Sequence, residues 1–148
     1  MEIEITYLQK GYFYDTANLI MKYYKEYKNE IIHRVEAENI LKNKDNITKI
    51  AINKVNKVIG CYVYQKTDEN YFIHVFILDP IVRKTKQGYL IWKHMNQEMK
   101  DKPAIISVIR KNLPITSLIA KRGHKIGTYL SLDGETIDYY NLTFKESK

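Results

Sequence analysis

The sequence predicts one α/β (α+β) domain, a mixed and mostly antiparallel twisted sheet with helices on both faces and a parallel strand pair at its centre. Three observations predict it. The run Tyr71–Leu78, YFIHVFIL, is almost wholly aromatic, aliphatic or β-branched, which suits a strand covered on both faces, and Asp79-Pro80 closes it. After it, Ile91, Met95 and Met99 recur every fourth residue with Trp92 beside them, while Lys93, Asn96, Gln97 and Lys100 fall elsewhere. That is helical periodicity over residues 88–100, and a second apolar run, Ala104–Ile109, follows Pro103. A strand, a helix and a strand in this order make a right-handed crossover with parallel strands. The runs 47–52, 57–65 and 71–78, and the two of the last hairpin, are joined by turns too short for a crossover, so they pair antiparallel.

The remaining elements follow in order. Residues 2–8 alternate Ile3, Ile5 and Tyr7 with Glu2, Glu4 and Thr6, a first strand with one wet face. Phe13, Ala17, Ile20, Tyr24 and Tyr27 form one apolar stripe, predicting a helix over residues 12–28, and residues 35–42 form a shorter one. Ile47–Ile52 and residues 57–65 read as strands joined by a turn at residues 54–56, and residues 66–70 are the polar turn before the central strand. Residues 83–88 then sit at a helix N-terminus. Unpaired N–H groups and the positive end of the macrodipole favour an anion there, and Arg83, Lys84 and Lys86 add charge. Residues 124–132 and 136–144 make a last hairpin about Asp133-Gly134, a strong turn signal.

A chain of 148 residues without repeats or Gly/Ser linkers reads as a single domain, residues 1–148. One cysteine, Cys61, excludes an intrachain disulfide framework, and its neighbours Gly60 and Tyr62 place it inside a strand; a reducing, cytoplasmic setting is expected. No apolar run approaches the ~18 residues of a spanning helix and nothing resembles a signal peptide, so no membrane partner is expected. Lys plus Arg number 24 against 17 acidic residues, a net charge of +7. The lysines are dispersed, so the charge is expected to serve an anionic cofactor and solubility more than nucleic acid, which the sequence leaves open. His33, His74, His94 and His124 lie on separate elements without ligand spacing, so no metal is expected, and the absence of G-x-S-x-G argues against a serine hydrolase.

The segment D-P-I-V-R-K-T-K-Q-G-Y after the central strand resembles motif A of the GNAT superfamily of acetyl-CoA-dependent N-acetyltransferases, where a strand, a Pro and a (Q/R)-x-x-G-x-(G/A) loop lead into a helix. Arg83 takes the first position and Gly88 the last, with Lys86 in place of the middle glycine. Residues 110–124, R-K-N-L-P-I-T-S-L-I-A-K-R-G-H, resemble motif B of the same superfamily. Asn112 and Gly123 match it, His124 stands where the family prefers Phe, and Ile119 stands where many members carry a Tyr acid. In element order the resemblance spans essentially the whole chain.

The resemblance implies that the central parallel strands splay apart and that the free edge of Phe76, Ile77 and Leu78 bonds the pantetheine arm of CoA. It places the pyrophosphate on the loop Arg83, Lys84, Thr85, Lys86, Gln87, Gly88 and Tyr89, adds Asn112 from motif B, and makes the first two helices the lip of the acceptor site. It also implies acetyl transfer from acetyl-CoA to a primary amine by direct attack, with no metal. His74 interrupts the apolar strand six residues before Pro80, where many members place a Glu that takes the amine proton through water. An imidazole with a pKa near ~6.5 suits that task, although a core histidine bonded to a backbone carbonyl fits the same pattern. Tyr129 and Tyr139 on the last hairpin are the candidate acids. Beside the small-amine enzyme stand a degenerate member acting as a binding or structural module, and an enzyme acting on an RNA-borne or protein amine. The acceptor and a homodimer are both left open.

Overall fold

The computed structural model describes residues 3–27, 32–109, 119, 123–130, 132, 134 and 136–142. Alternating and continuous apolar runs give seven strands: β1 Glu4–Tyr7, β2 Ile47–Ile52, β3 Val58–Lys66, β4 Tyr71–Leu78, β5 Ala104–Ile109, β6 Gly123–Leu130 and β7 Thr136–Leu142. They form one sheet in the order β1-β2-β3-β4-β5-β7-β6, antiparallel throughout except for β4 with β5. The hairpin's second strand, β7, sits beside β5, which leaves β6 as the outer edge. Gly134, at φ +87°, supplies the left-handed residue of the turn between them.

Among the described residues three helices carry apolar faces onto the sheet: α1 Phe13–Tyr27, α2 Arg34–Lys42 and α3 Lys86–Glu98. On one face, Ala17 and Ile20 of α1 and Ala37 and Leu41 of α2 pack over Ile50, Cys61, Val63, Val75 and Ile77. On the other, Ile91, Trp92, Met95 and Met99 pack over Tyr62, Phe76, Ile106 and Leu142. The Trp92 ring meets Phe76 edge-on at 5.3 Å. A residue buried to that extent is worth about 3–5 kcal/mol on truncation to alanine. Cys61 lies in the first of these cores, where burial pushes its thiol up to about 12 and leaves it inert.

The last turn of α3 is pinned by charge. Glu98 accepts from the hydroxyls of Tyr62 and Tyr64, the latter at 2.9 Å, and pairs with Lys49 Nζ at 3.2 Å. The start of α3 lies two residues earlier than the periodicity predicts, because Thr85 is the N-cap: its Oγ1 accepts the Gly88 N–H at 3.3 Å.

Candidate functional site

β4 and β5 pair only through Tyr71–Ile73 and Ala104–Ile106. Beyond that point β4 runs on with β3 as far as Leu78 opposite Gly60, and β5 runs on with β7 as far as Ile109 opposite Ile137. The sheet is therefore forked, and among the described residues the edge of β4 from His74 to Leu78 faces no strand. A bulge accounts for the divergence. Tyr64 pairs with Ile73 and Val63 with Val75, so His74 is an extra residue in β4, and an extra residue bends its strand and increases the local twist.

The bulge also re-aims a side chain. Ile73 belongs to the core under α3, whereas Val75 and Ile77 belong to the core under α1 and α2, so His74, next after Ile73, turns to the α1 side. It is exposed and has no hydrogen bond among the described residues, which overturns the alternative of a buried histidine bonded in the core. Partial desolvation holds its pKa below the ordinary imidazole value, so the neutral, proton-accepting form dominates at neutral pH.

Across the fork, Ser107 follows the last paired residue of β5 and sits opposite Tyr139 of β7. Ile106 and its partner Tyr140 lie in the core under α3, so Ser107 and Tyr139 take the other face, the one His74 faces. At ideal strand spacing Tyr139 is two strands, or about 10 Å, from β4, and the divergence widens the gap. Tyr129 pairs with Ile137 on β6, one strand farther out. Both tyrosines are exposed. Ser107, a lone hydroxyl in the run AIISVI, interrupts an apolar strand as His74 does.

The loop beyond β4 is built by local bonds. Asp79 Oδ1 accepts the Ile81 N–H at 3.0 Å and starts a 3-10 turn, Pro80–Val82. Arg83 donates from Nε to the Leu78 carbonyl at 3.0 Å, and its guanidinium grips both oxygens of Glu26 on α1, at 2.6 and 3.2 Å. That charge is thus already paired within the fold. Lys84 holds a left-handed φ of 62°. The N–H groups of Thr85, Gly88 and Tyr89 are taken by Val82 O, Thr85 Oγ1 and Thr85 O. Those of Lys84, Lys86 and Gln87 have no acceptor among the described residues, as expected of a helix's first turn. Gly88 serves packing: a Cβ there would lie 2.5 Å from the Val82 carbonyl oxygen.

Asn112 lies outside the described residues. Ile119, helical and fully buried in the core under α3, offers no proton. Gly123 opens β6 where a Cβ would come within 2.5 Å of Leu142 Cδ2. Among the described residues no three metal-ligating side chains cluster, and no helix is long and apolar enough to cross a membrane.

No family model matches the sequence, and no curated protein matches it. Solved structures do. An acetyltransferase of the GNAT family from Staphylococcus aureus superposes with a TM-score of 0.72 at 18% identity, over 96% of this chain and 100% of that one. The ribosomal-protein-S18-alanine N-acetyltransferase of Escherichia coli gives 0.73 at 12%, over 99% and 97%. An aminoglycoside 6'-N-acetyltransferase in complex with coenzyme A gives 0.73 at 10%, over 98% and 99%. At such identities the likeness is one of fold.

Proposed function

We infer that this chain, which has the GNAT acetyltransferase fold, transfers an acetyl group from acetyl-CoA to a primary amine by direct attack. The observation that carries the reading is the fork itself, a β4 edge that, among the described residues, pairs with no strand and leads to three N–H groups without acceptors at the start of α3. An extended amide-bearing arm satisfies such an edge by strand-like pairing at Phe76 and the Leu78 N–H, on either side of Ile77, whose own ladder partner is Cys61. A diphosphate satisfies the N–H groups of Lys84, Lys86 and Gln87 at the positive end of the helix. The residues present therefore fit acetyl-CoA, which when bound would supply the acetyl group as a thioester.

The rest falls to side chains on the α1 side. His74, neutral at pH 7, takes the proton of the incoming ammonium through water, leaving the amine's lone pair free. Tyr139, across the fork, returns a proton toward the departing thiolate, a role that the buried, apolar Ile119 does not fill. That same Ile119 favours the second reading, a catalytically degenerate binding or structural module. Thiol release from acetyl-CoA, measured over a panel of amines, and calorimetry with CoA separate the two. Thiol release that depends on an amine supports the enzyme, CoA binding without release supports a binding module, and failure to bind CoA at millimolar concentration rejects the enzyme and leaves the structural module.

A further inference from the structure

A pocket of about 530 Å³ opens on the α1 side of β4, floored by Ile77. Its wall carries four cations, Lys22, Lys25, Lys57 and Arg83, against two carboxylates, Glu26 and Asp79. Both carboxylates are engaged, Glu26 by Arg83 at 2.6 Å and Asp79 by Lys57 at 3.6 Å. Lys22 and Lys25 stand three residues apart on α1, hence on one face, and have no ion-pair partner among the described residues. Among the described residues the pocket therefore holds two like charges without a counterion, an arrangement suited to an anionic ligand.

From this arrangement we propose that the acceptor is an amine whose own molecule carries an anionic group, a carboxylate or phosphate, seated between Lys22 and Lys25. The inference rests on the acetyl-transfer reading and narrows it. Ile77 lies three residues along β4 from His74, about 10 Å at a strand's rise, so the anion and the reacting amine fit within one small molecule. Polyamines and other polycations are repelled by the same two lysines, since like charges brought together without a counterion are destabilising.

The test compares matched pairs that differ only in charge: α- and ω-amino acids against their amides, and O-phosphoethanolamine against ethanolamine, with spermidine as the polycation. Amine-dependent thiol release gives kcat/KM for each. Calorimetry with the N-acetylated amino acid and its N-acetylated amide reads the pocket without turnover. The wild type should favour the anionic member at least tenfold, less so at high salt, and Lys22→Glu/Lys25→Glu should abolish the preference while CoA affinity stays within about twofold. Equal treatment of the pairs, including no binding of either, overturns the proposal, and so does a preference for spermidine. Loss of CoA affinity in the double variant with the anionic preference intact would assign the lysines to the cofactor's phosphates and overturn it equally. A carboxylate preference in calorimetry without thiol release from any amine would instead reject the transfer reading and keep the anion site.

Discussion

Proline at position 86 would remove one N–H from the mouth of α3 without asking the helix to change. Lys86 is the first helical residue, where proline's fixed φ is already the required one and the N–H has no intrahelical acceptor. The preceding residue must be extended, and Thr85, at φ −110° and ψ 169°, already is. Lys86→Ala is the matched control, since it strips the ammonium and keeps the N–H. An exposed ammonium contributes up to about 1 kcal/mol to an anion, so alanine should weaken CoA binding by about fivefold or less. A backbone N–H bonded to a charged phosphate is worth about 1.5–3 kcal/mol, so proline should cost roughly a further tenfold to 150-fold. Calorimetry with CoA at about physiological salt reads the affinities. A thermal melt should show Lys86→Pro at or slightly above the wild-type Tm, because proline restricts the unfolded chain. Equal CoA affinities for the two variants, both folded, would refute the assignment of the pyrophosphate to this turn.

His74→Gln should lower turnover by about a hundredfold or more with CoA affinity unchanged, and it should erase the acid limb of the pH-rate profile. Because the imidazole's pKa is depressed in the fold, the unfolded chain binds its proton more readily, so this residue's contribution to stability is present above ~6.5 and lost as pH falls through the folded value; wild-type melts should show a pH-dependent component that His74→Gln lacks. Tyr139→Phe should reduce kcat by about tenfold or more while Tyr129→Phe, a strand farther from the fork, leaves it within about twofold; the reverse ranking in steady-state kinetics would reassign the acid. Gly88→Ala drives a methyl against the Val82 carbonyl and should cost about 1–3 kcal/mol, a fall of roughly 2–12 °C in Tm, whatever its effect on CoA; an unchanged melt would show that the turn yields.

Periodicity carried most of the fold. Tyr71–Leu78, Ile47–Ile52 and Ala104–Ile109 coincide with their predicted bounds, because apolar runs and flanking turns are local properties of the chain. The helix over Ile91, Trp92, Met95 and Met99 was equally legible; its start was not, since Thr85 acts as cap only through a bond to an N–H three residues on. The site was less legible for a physical reason. A bulge is a mismatch between two strands, so the sequence of β4 alone holds His74 but not its status as an extra residue. The partner of Arg83 is 57 residues away on another element, and Lys22 and Lys25 become a site only when α1 lies beside β4. Ser107 and Tyr139 share a face by register, which no single-strand pattern encodes.

The fork has a mechanical consequence. Below it, the sheet is a single seven-stranded body only by virtue of three residue pairs, reinforced by α3 crossing the seam. Above it there are two antiparallel plates, β1 to β4 and β5 to β7, each with its own complete ladders. The seam between them is thus the shortest ladder in the sheet, three residue pairs against four or more at every other junction, so parting the strands there breaks fewer ladder bonds than unpairing either plate. A ligand wedged between the plates works as a mortar, tying one to the other, so its presence is registered in the rigidity of strands that never touch it.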